Sequence, residues 1–175
     1  EVPENATNGE VCCTMDNGEN NSYVKKQLTI SLLELLESKE LRAISVSEIA
    51  QNAGVHRVSF YRNFTEKEDV LREYIRFTYG KWTAGHPSAE DPLPALFDYL
   101  QEYATFYRLL HRRGILLLFK DVLFSNIGPR PEYENAAAYA TAFLANGVYG
   151  WIEEWVARGM QESAEELRDI MQRGE

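Results

Sequence analysis

Apolar residues recur every three or four positions along most of this chain, the period of an amphipathic helix. Val24, Leu28, Leu32, Leu35 and Leu36 make one such stripe between Tyr23 and about Ser38, with Lys25 and Lys26 on its entry turn. Val46, Ile49, Ala50 and Ala53 make a second. Ser45, with Glu48 three residues on, predicts a reciprocal capping box at its start, and Gly54 can take the positive φ that stops it. In the short pattern that follows, Val55, one of Val58 and Ser59, and one of Phe60 and Phe64 face inward. His56, Arg57, Arg62 and Asn63 then point outward. Two short helices joined by a tight glycine turn have the layout of a helix-turn-helix, and its outward side chains are of the kind that hydrogen-bond phosphates and base edges.

Thr65 and Glu68 predict another capping box, opening a long helix through Val70, Leu71, Tyr74, Ile75 and Tyr79 to about Trp82. Its N-terminus, with Lys67, suits a phosphate. Gly85, His86, Pro87, Pro92 and Pro94 mark a loop, and so a boundary. Beyond it, Leu96, Leu100, Tyr103, Phe106 or Tyr107, and Leu110 predict one buried helix over 93–110. A nearly continuous apolar run, Ile115 to Phe124, predicts another before Gly128, Pro129 and Pro131. The longest pattern runs from Tyr133 to about Arg158, stopped by Gly159. Ser163 and Glu166 form a third capping box ahead of Leu167, Ile170 and Met171. Residues 1–22 carry no apolar period and are expected to be a disordered extension.

The stretch Ser-Val-Ser-Glu-Ile-Ala-x-x-Ala-Gly-Val from Ser45, then Ser59-Phe60-Tyr61-Arg62-Asn63-Phe64 and Lys67-Glu68-Asp69-Val70-Leu71, resembles the TetR/AcrR family of bacterial transcription regulators. The resemblance covers roughly residues 23 to 78. It implies an all-α fold: a three-helix DNA-binding head, a connecting helix (together 23–82), and a C-terminal regulatory and dimerisation bundle over 83–175. It also implies a homodimer on a pseudo-palindromic double-stranded operator, acting as a repressor in the cytoplasm. By the same resemblance Ser45 and Ser47 sit near the backbone and groove edge, Arg57, Val58 and Ser59 at the base-reading end, and Tyr61, Arg62, Asn63 and Lys67 on phosphates. Arg57 can be bidentate to a guanine edge, whereas Tyr61 and Lys67 suit positioning. Two residues depart from the family pattern: His56 stands where a small capping residue is common, and Asn63 where His or an aromatic is common.

A net charge of −9 sits awkwardly with DNA binding until it is divided along the chain. Residues 1–22 carry −5, residues 23–82 carry +2 and residues 83–175 carry −6. Affinity for nucleic acid depends on local positive charge, so a weakly basic head on an acidic body is compatible with it.

In the body, Phe97, Tyr99, Tyr103, Phe106, Tyr107, Phe119 and Phe124 either fill the core or line a cavity for an apolar or flat effector. The candidate lining is Tyr99, Tyr103, Phe106, Tyr107 and Phe119. His111, Arg112 and Arg113 are either a solvated helix end or a seat for an anion. Small residues at Ala140, Gly147 and Gly150, beside Phe143, Trp151 and Trp155, suggest a self-association face, an internal seam being the alternative. A rival reading has the body docking a protein partner instead of a small molecule.

Cys12 and Cys13, adjacent, suit neither a disulfide nor a metal site. His56, His86 and His111 lie on different elements, so no metal or cofactor is expected. With no Gly-rich phosphate loop, Gly-x-Ser-x-Gly elbow or His-Glu-x-x-His helix, catalysis is not expected. There is neither a run of about 18 apolar residues nor a leader-like segment, so no membrane role is expected.

Overall fold

The computed structural model describes residues 19–85 and 92–173. Among these every regular element is a helix: α1 Glu19–Ser38, a 3₁₀ turn Leu41–Ala43, α2 Val46–Asn52, α3 Arg57–Asn63, α4 Lys67–Gly85, α5 Pro92–Glu102, α6 Ala104–Arg112, α7 Leu117–Ile127, α8 Asn135–Ala157 and α9 Ala164–Arg173. Most of the 1–22 segment, including Cys12 and Cys13, and the loop at His86 and Pro87 lie outside the described residues. The all-α expectation holds. α1 is already helical at Glu19, ahead of Tyr23; Asn20, Asn21 and Ser22 carry no apolar period by which this turn could be read from the sequence.

Two compact units divide between Val70 and Leu71, inside α4; of the loop expected from Gly85 to Pro94, Gly85 ends α4 and Pro92 and Pro94 belong to α5. In the first unit α1, α2 and α3 pack on one another. Leu28, Leu32 and Leu36 of α1, Ile49 and Ala50 of α2, and Phe60 and Phe64 at α3 are buried together with Leu41 and Ile44. Burying side chains of this size contributes roughly 1.5–3 kcal/mol each. The Ser31 hydroxyl, itself buried, donates to the Ile49 carbonyl at 2.8 Å and pins α1 to α2.

The turn between α2 and α3 is closed by paired backbone bonds, Gly54 N–H to Gln51 at 3.1 Å and Val55 N–H to Ala50 at 3.0 Å. This closure requires a left-handed residue, supplied by Gly54 at φ 65°. At the other end of α2 the Ser45 hydroxyl accepts from Glu48 N–H at 3.1 Å. Only that half of the box forms, since the Glu48 carboxylate turns to the Lys39 ammonium. The cap of α4 is shifted by one residue from expectation: Asp69 accepts from Glu66 N–H at 3.1 Å. The third box is complete, with Ser163 N–H donating to Glu166 at 2.8 Å and Glu166 N–H to the Ser163 hydroxyl at 3.2 Å.

In the second unit α5 packs on α6 and α9, and α8 on α6 and α7. Tyr74, Ile75, Thr78 and Trp82 of α4 are buried in this unit, which is why the division falls so early along that helix. The single helix expected over 93–110 is two. The break is at Tyr103, where φ −102° and ψ 25° leave the α region although backbone bonds continue on both sides. No glycine or proline marks it, so the apolar period passes straight through. α7 stops at Gly128, where a side chain would place its Cβ 2.4 Å from the Phe124 carbonyl oxygen.

Candidate nucleic-acid interface and ligand pocket

The exposed side of the first unit is built around α3. Its buried anchor is Phe60, which meets Phe64 at 5.8 Å and Tyr61 at 5.5 Å between ring centroids. With Phe60 and Phe64 both inward, His56, Arg57, Val58, Tyr61 and Arg62 are left exposed, Val58 to 61%. An isolated apolar side chain among cations and phenols suits contact with a thymine methyl. Arg57 and Tyr61 are one turn apart and joined: the guanidinium lies 5.4 Å from the Tyr61 ring centre and donates to its hydroxyl at 3.1 Å. Ser45 and Ser47 are exposed at the start of α2, Ser45 acting as its cap, and Ser59 is half-buried.

Two expected phosphate contacts are placed differently. The Lys67 ammonium donates to the carbonyls of Leu41 and, at 2.8 Å, Ile44, fastening the 3₁₀ turn to the start of α4. Asn63 is half-buried and its amide donates back to the Ser59 carbonyl at 2.7 Å. Its side-chain oxygen is buried without a hydrogen-bond partner. Neither side chain reaches outward as Arg62 does. Lys25 lies over the Phe64 ring at 5.7 Å.

Of the two readings open for these aromatics, core filling holds for Tyr99, Tyr103, Phe106 and Tyr107. Tyr99 and Tyr107 are fully buried, Phe106 is 8% exposed, and Tyr103 is half-buried against Tyr99. The Tyr99 and Tyr107 hydroxyls are satisfied internally: Tyr107 stands 2.7 Å from Tyr99, Tyr99 2.8 Å from Thr78, and Thr78 donates to the Tyr74 carbonyl at 3.0 Å. Burial pushes the Tyr99 phenol up to about 12 against the smaller, opposite effect of its hydrogen bonds with Thr78 and Tyr107. Burial also lifts Tyr74 to about 12 and Tyr107 well above the usual range.

An apolar pocket of about 250 Å³ lies to one side, lined by Ile75, Tyr79, Leu96, Phe119, Val122, Leu123, Asn126, Ile127, Leu144 and Val148. Of the expected lining only Phe119 takes part. Sequence reading missed the aliphatic majority, since a leucine facing a pocket and one facing the core share the same helical period. His111 and Arg112 occupy the last turn of α6 and do not line the pocket. There a cation favours the helix's negative end.

Along α8, Tyr139 is 73%, Phe143 79% and Trp151 37% exposed, with Ala140, Gly147 and Gly150 exposed between them. This is an apolar strip without a covering element among the described residues. Trp155, expected on the same strip, is instead 2% exposed. Its ring packs edge-on against Phe97 at 5.4 Å and its indole N–H donates to the Glu162 carbonyl at 3.1 Å. Placed four residues on from Trp151, it turns inward because α5 and the loop before α9 lie on that side.

The capped α2, the glycine turn and the exposed polar side of α3 define the first unit as a helix-turn-helix module. Residues 32–74 match the model of the bacterial regulatory proteins of the tetR family, and residues 88–173 match a transcriptional regulator C-terminal region. The chain belongs to the TetR family. It is similar to the HTH-type transcriptional regulator EthR of Mycolicibacterium smegmatis, 29% identical over 126 residues that make up 70% of this chain and 51% of that protein. It is also similar to the HTH-type transcriptional repressor KstR2 of the same organism, 28% identical over 91 residues, 50% of this chain and 43% of that protein. The chain thus spans about half the length of these curated relatives. No helix among the described residues is long and apolar enough to cross a membrane.

Proposed function

We propose that this chain is a sequence-specific, DNA-binding transcription regulator. It works as a homodimeric repressor on a pseudo-palindromic double-stranded operator in the cytoplasm, and an effector bound in its second unit alters its hold on DNA. The observation that carries the reading is the outward set on α3: Arg57 and Tyr61 held together, with Val58 and Arg62 beside them. Arg57 and Val58 read base edges. Tyr61, Arg62, Ser45 and Ser47 hold the backbone. Lys67 and Asn63 support the head from within.

Pairing through the α8 strip sets two recognition helices one duplex turn apart, on the order of 34 Å. The repressor named among the relatives supports the sign of regulation. An effector acts only by binding one head spacing better than another. The filled core around Tyr99 and Tyr107 favours the rival in which the body docks a protein, whereas the pocket beside Phe119 favours a small molecule, which is the reading adopted. Selection of bound sites from random duplexes is the test. Recovery of a two-fold symmetric motif is the expected result, and failure to enrich any duplex at modest ionic strength overturns the proposal.

A further inference from the structure

We infer that the pocket between α4, α5, α7 and α8 selects an uncharged, mainly apolar molecule of about ten heavy atoms, with Asn126 reading its single hydrogen-bonding group. The inference rests on the effector reading of this pocket. Its floor is Ile75, Leu96, Phe119, Val122 and Leu123, all buried. Its rim is formed by half-buried Tyr79 and Val148 with exposed Asn126, Ile127 and Leu144. The polar side chains of this lining are the Asn126 amide and the Tyr79 phenol, and none of the ten residues carries a charge.

Charge selection follows from that lining. An ionised group carried into the floor gives up its hydration without an opposite charge or a fixed donor to replace it, and the cost is large. A neutral apolar body meets no such barrier. Size follows from volume: an apolar cavity of about 150 Å³ holds benzene, so 250 Å³ suits a body nearer two fused rings. The Phe119 and Tyr79 rings give a flat molecule surfaces to lie against.

Asn126 supplies the directional element. Its amide N–H donates to the Val122 carbonyl one turn earlier at 2.7 Å, which fixes the side chain and leaves its oxygen as an acceptor at the rim. A ligand hydroxyl or N–H placed there keeps its hydrogen bond while the rest of the molecule sits inside. The ligand therefore enters apolar end first.

The test is calorimetric titration of the full chain with 2-naphthol, naphthalene and 2-naphthoate near pH 7. We expect 2-naphthol to bind, naphthalene about fivefold more weakly for want of one net hydrogen bond, and 2-naphthoate more weakly than either. Asn126→Leu should erase the difference between 2-naphthol and naphthalene. Val148→Trp, which fills the rim without cutting into the floor, should abolish binding of both, with circular dichroism checking the fold. Equal binding of 2-naphthoate and 2-naphthol overturns the inference, as does binding untouched by Val148→Trp. Binding seen only in a monomeric variant such as Gly147→Leu also overturns it, because the second copy then occupies the pocket. A chain that selects an operator but binds no naphthol refutes the ligand class alone. One that binds naphthol but no duplex refutes the DNA reading alone.

Discussion

The Tyr107 and Tyr99 hydroxyls lie 2.7 Å apart in the interior of the second unit, and the Tyr99 hydroxyl lies 2.8 Å from that of Thr78. Thr78 ends the chain on a backbone carbonyl of its own helix. With Thr78 donating to that carbonyl, every proton finds an acceptor when Tyr99 donates to Thr78 and Tyr107 to Tyr99. Tyr99→Phe strands the buried Tyr107 donor and should cost about 1–3 kcal/mol. Tyr107→Phe removes a donor and strands nothing comparable, so it should cost about 0.5–1.5 kcal/mol. Urea unfolding of the two variants should rank them in that order.

Buried phenols in this core make stability sensitive to alkali. Tyr99 and Tyr74 ionise near 12 when folded and near 10 when unfolded. The folded state therefore binds more protons between those values. Stability from this source is complete below about pH 10 and is lost as pH rises toward 12. Unfolding free energies measured across that window should fall, while ultraviolet titration of the folded protein shows these phenols ionising late.

Lys67 and Arg62 should separate by assay. Lys67→Met removes both bonds that hold the 3₁₀ turn and should lower the stability of the head by about 1–3 kcal/mol with little change in the salt dependence of DNA binding. Arg62→Ala should leave stability unchanged and reduce the logarithmic salt slope by about one. A reversed pattern would return Lys67 to the phosphates.

Arg57→Ala should weaken binding to the selected operator by about 1–3 kcal/mol and relax the preference at one base position. Competition against mismatched operators gives the readout. Equal loss on specific and random duplexes would remove its reading role.

Gly147 offers a clean test of self-association. Gly147 is exposed and a Cβ there meets nothing within 4 Å, so Gly147→Leu starts into open space, and loss of the helical glycine adds about 0.5–1 kcal/mol of stability. Light scattering should report monomers. Trp155→Ala should behave oppositely, costing about 3–5 kcal/mol through an internal void.

What the sequence made legible were features fixed by near neighbours. Ser45 three residues from Glu48, and Gly54 just after an apolar face, specify α2 and its turn without reference to the rest of the chain. Lys67 was not legible, because the carbonyls it holds lie 26 and 23 residues earlier. Tyr103 gave no sign of its break. The pocket escaped for a related reason: Ile75, Val122 and Val148 become neighbours only once three helices have packed. Trp151 and Trp155 share a helix and a residue type, and only the packing of other helices against one of them tells the two apart.

Leu144 stands at 64% exposure on the pocket rim and adjoins Phe143 on the apolar strip of α8. One side chain thus answers to two surfaces. Enlarging or trimming it alters which molecules fit and how firmly two copies meet, so effector preference and subunit pairing cannot be retuned there independently.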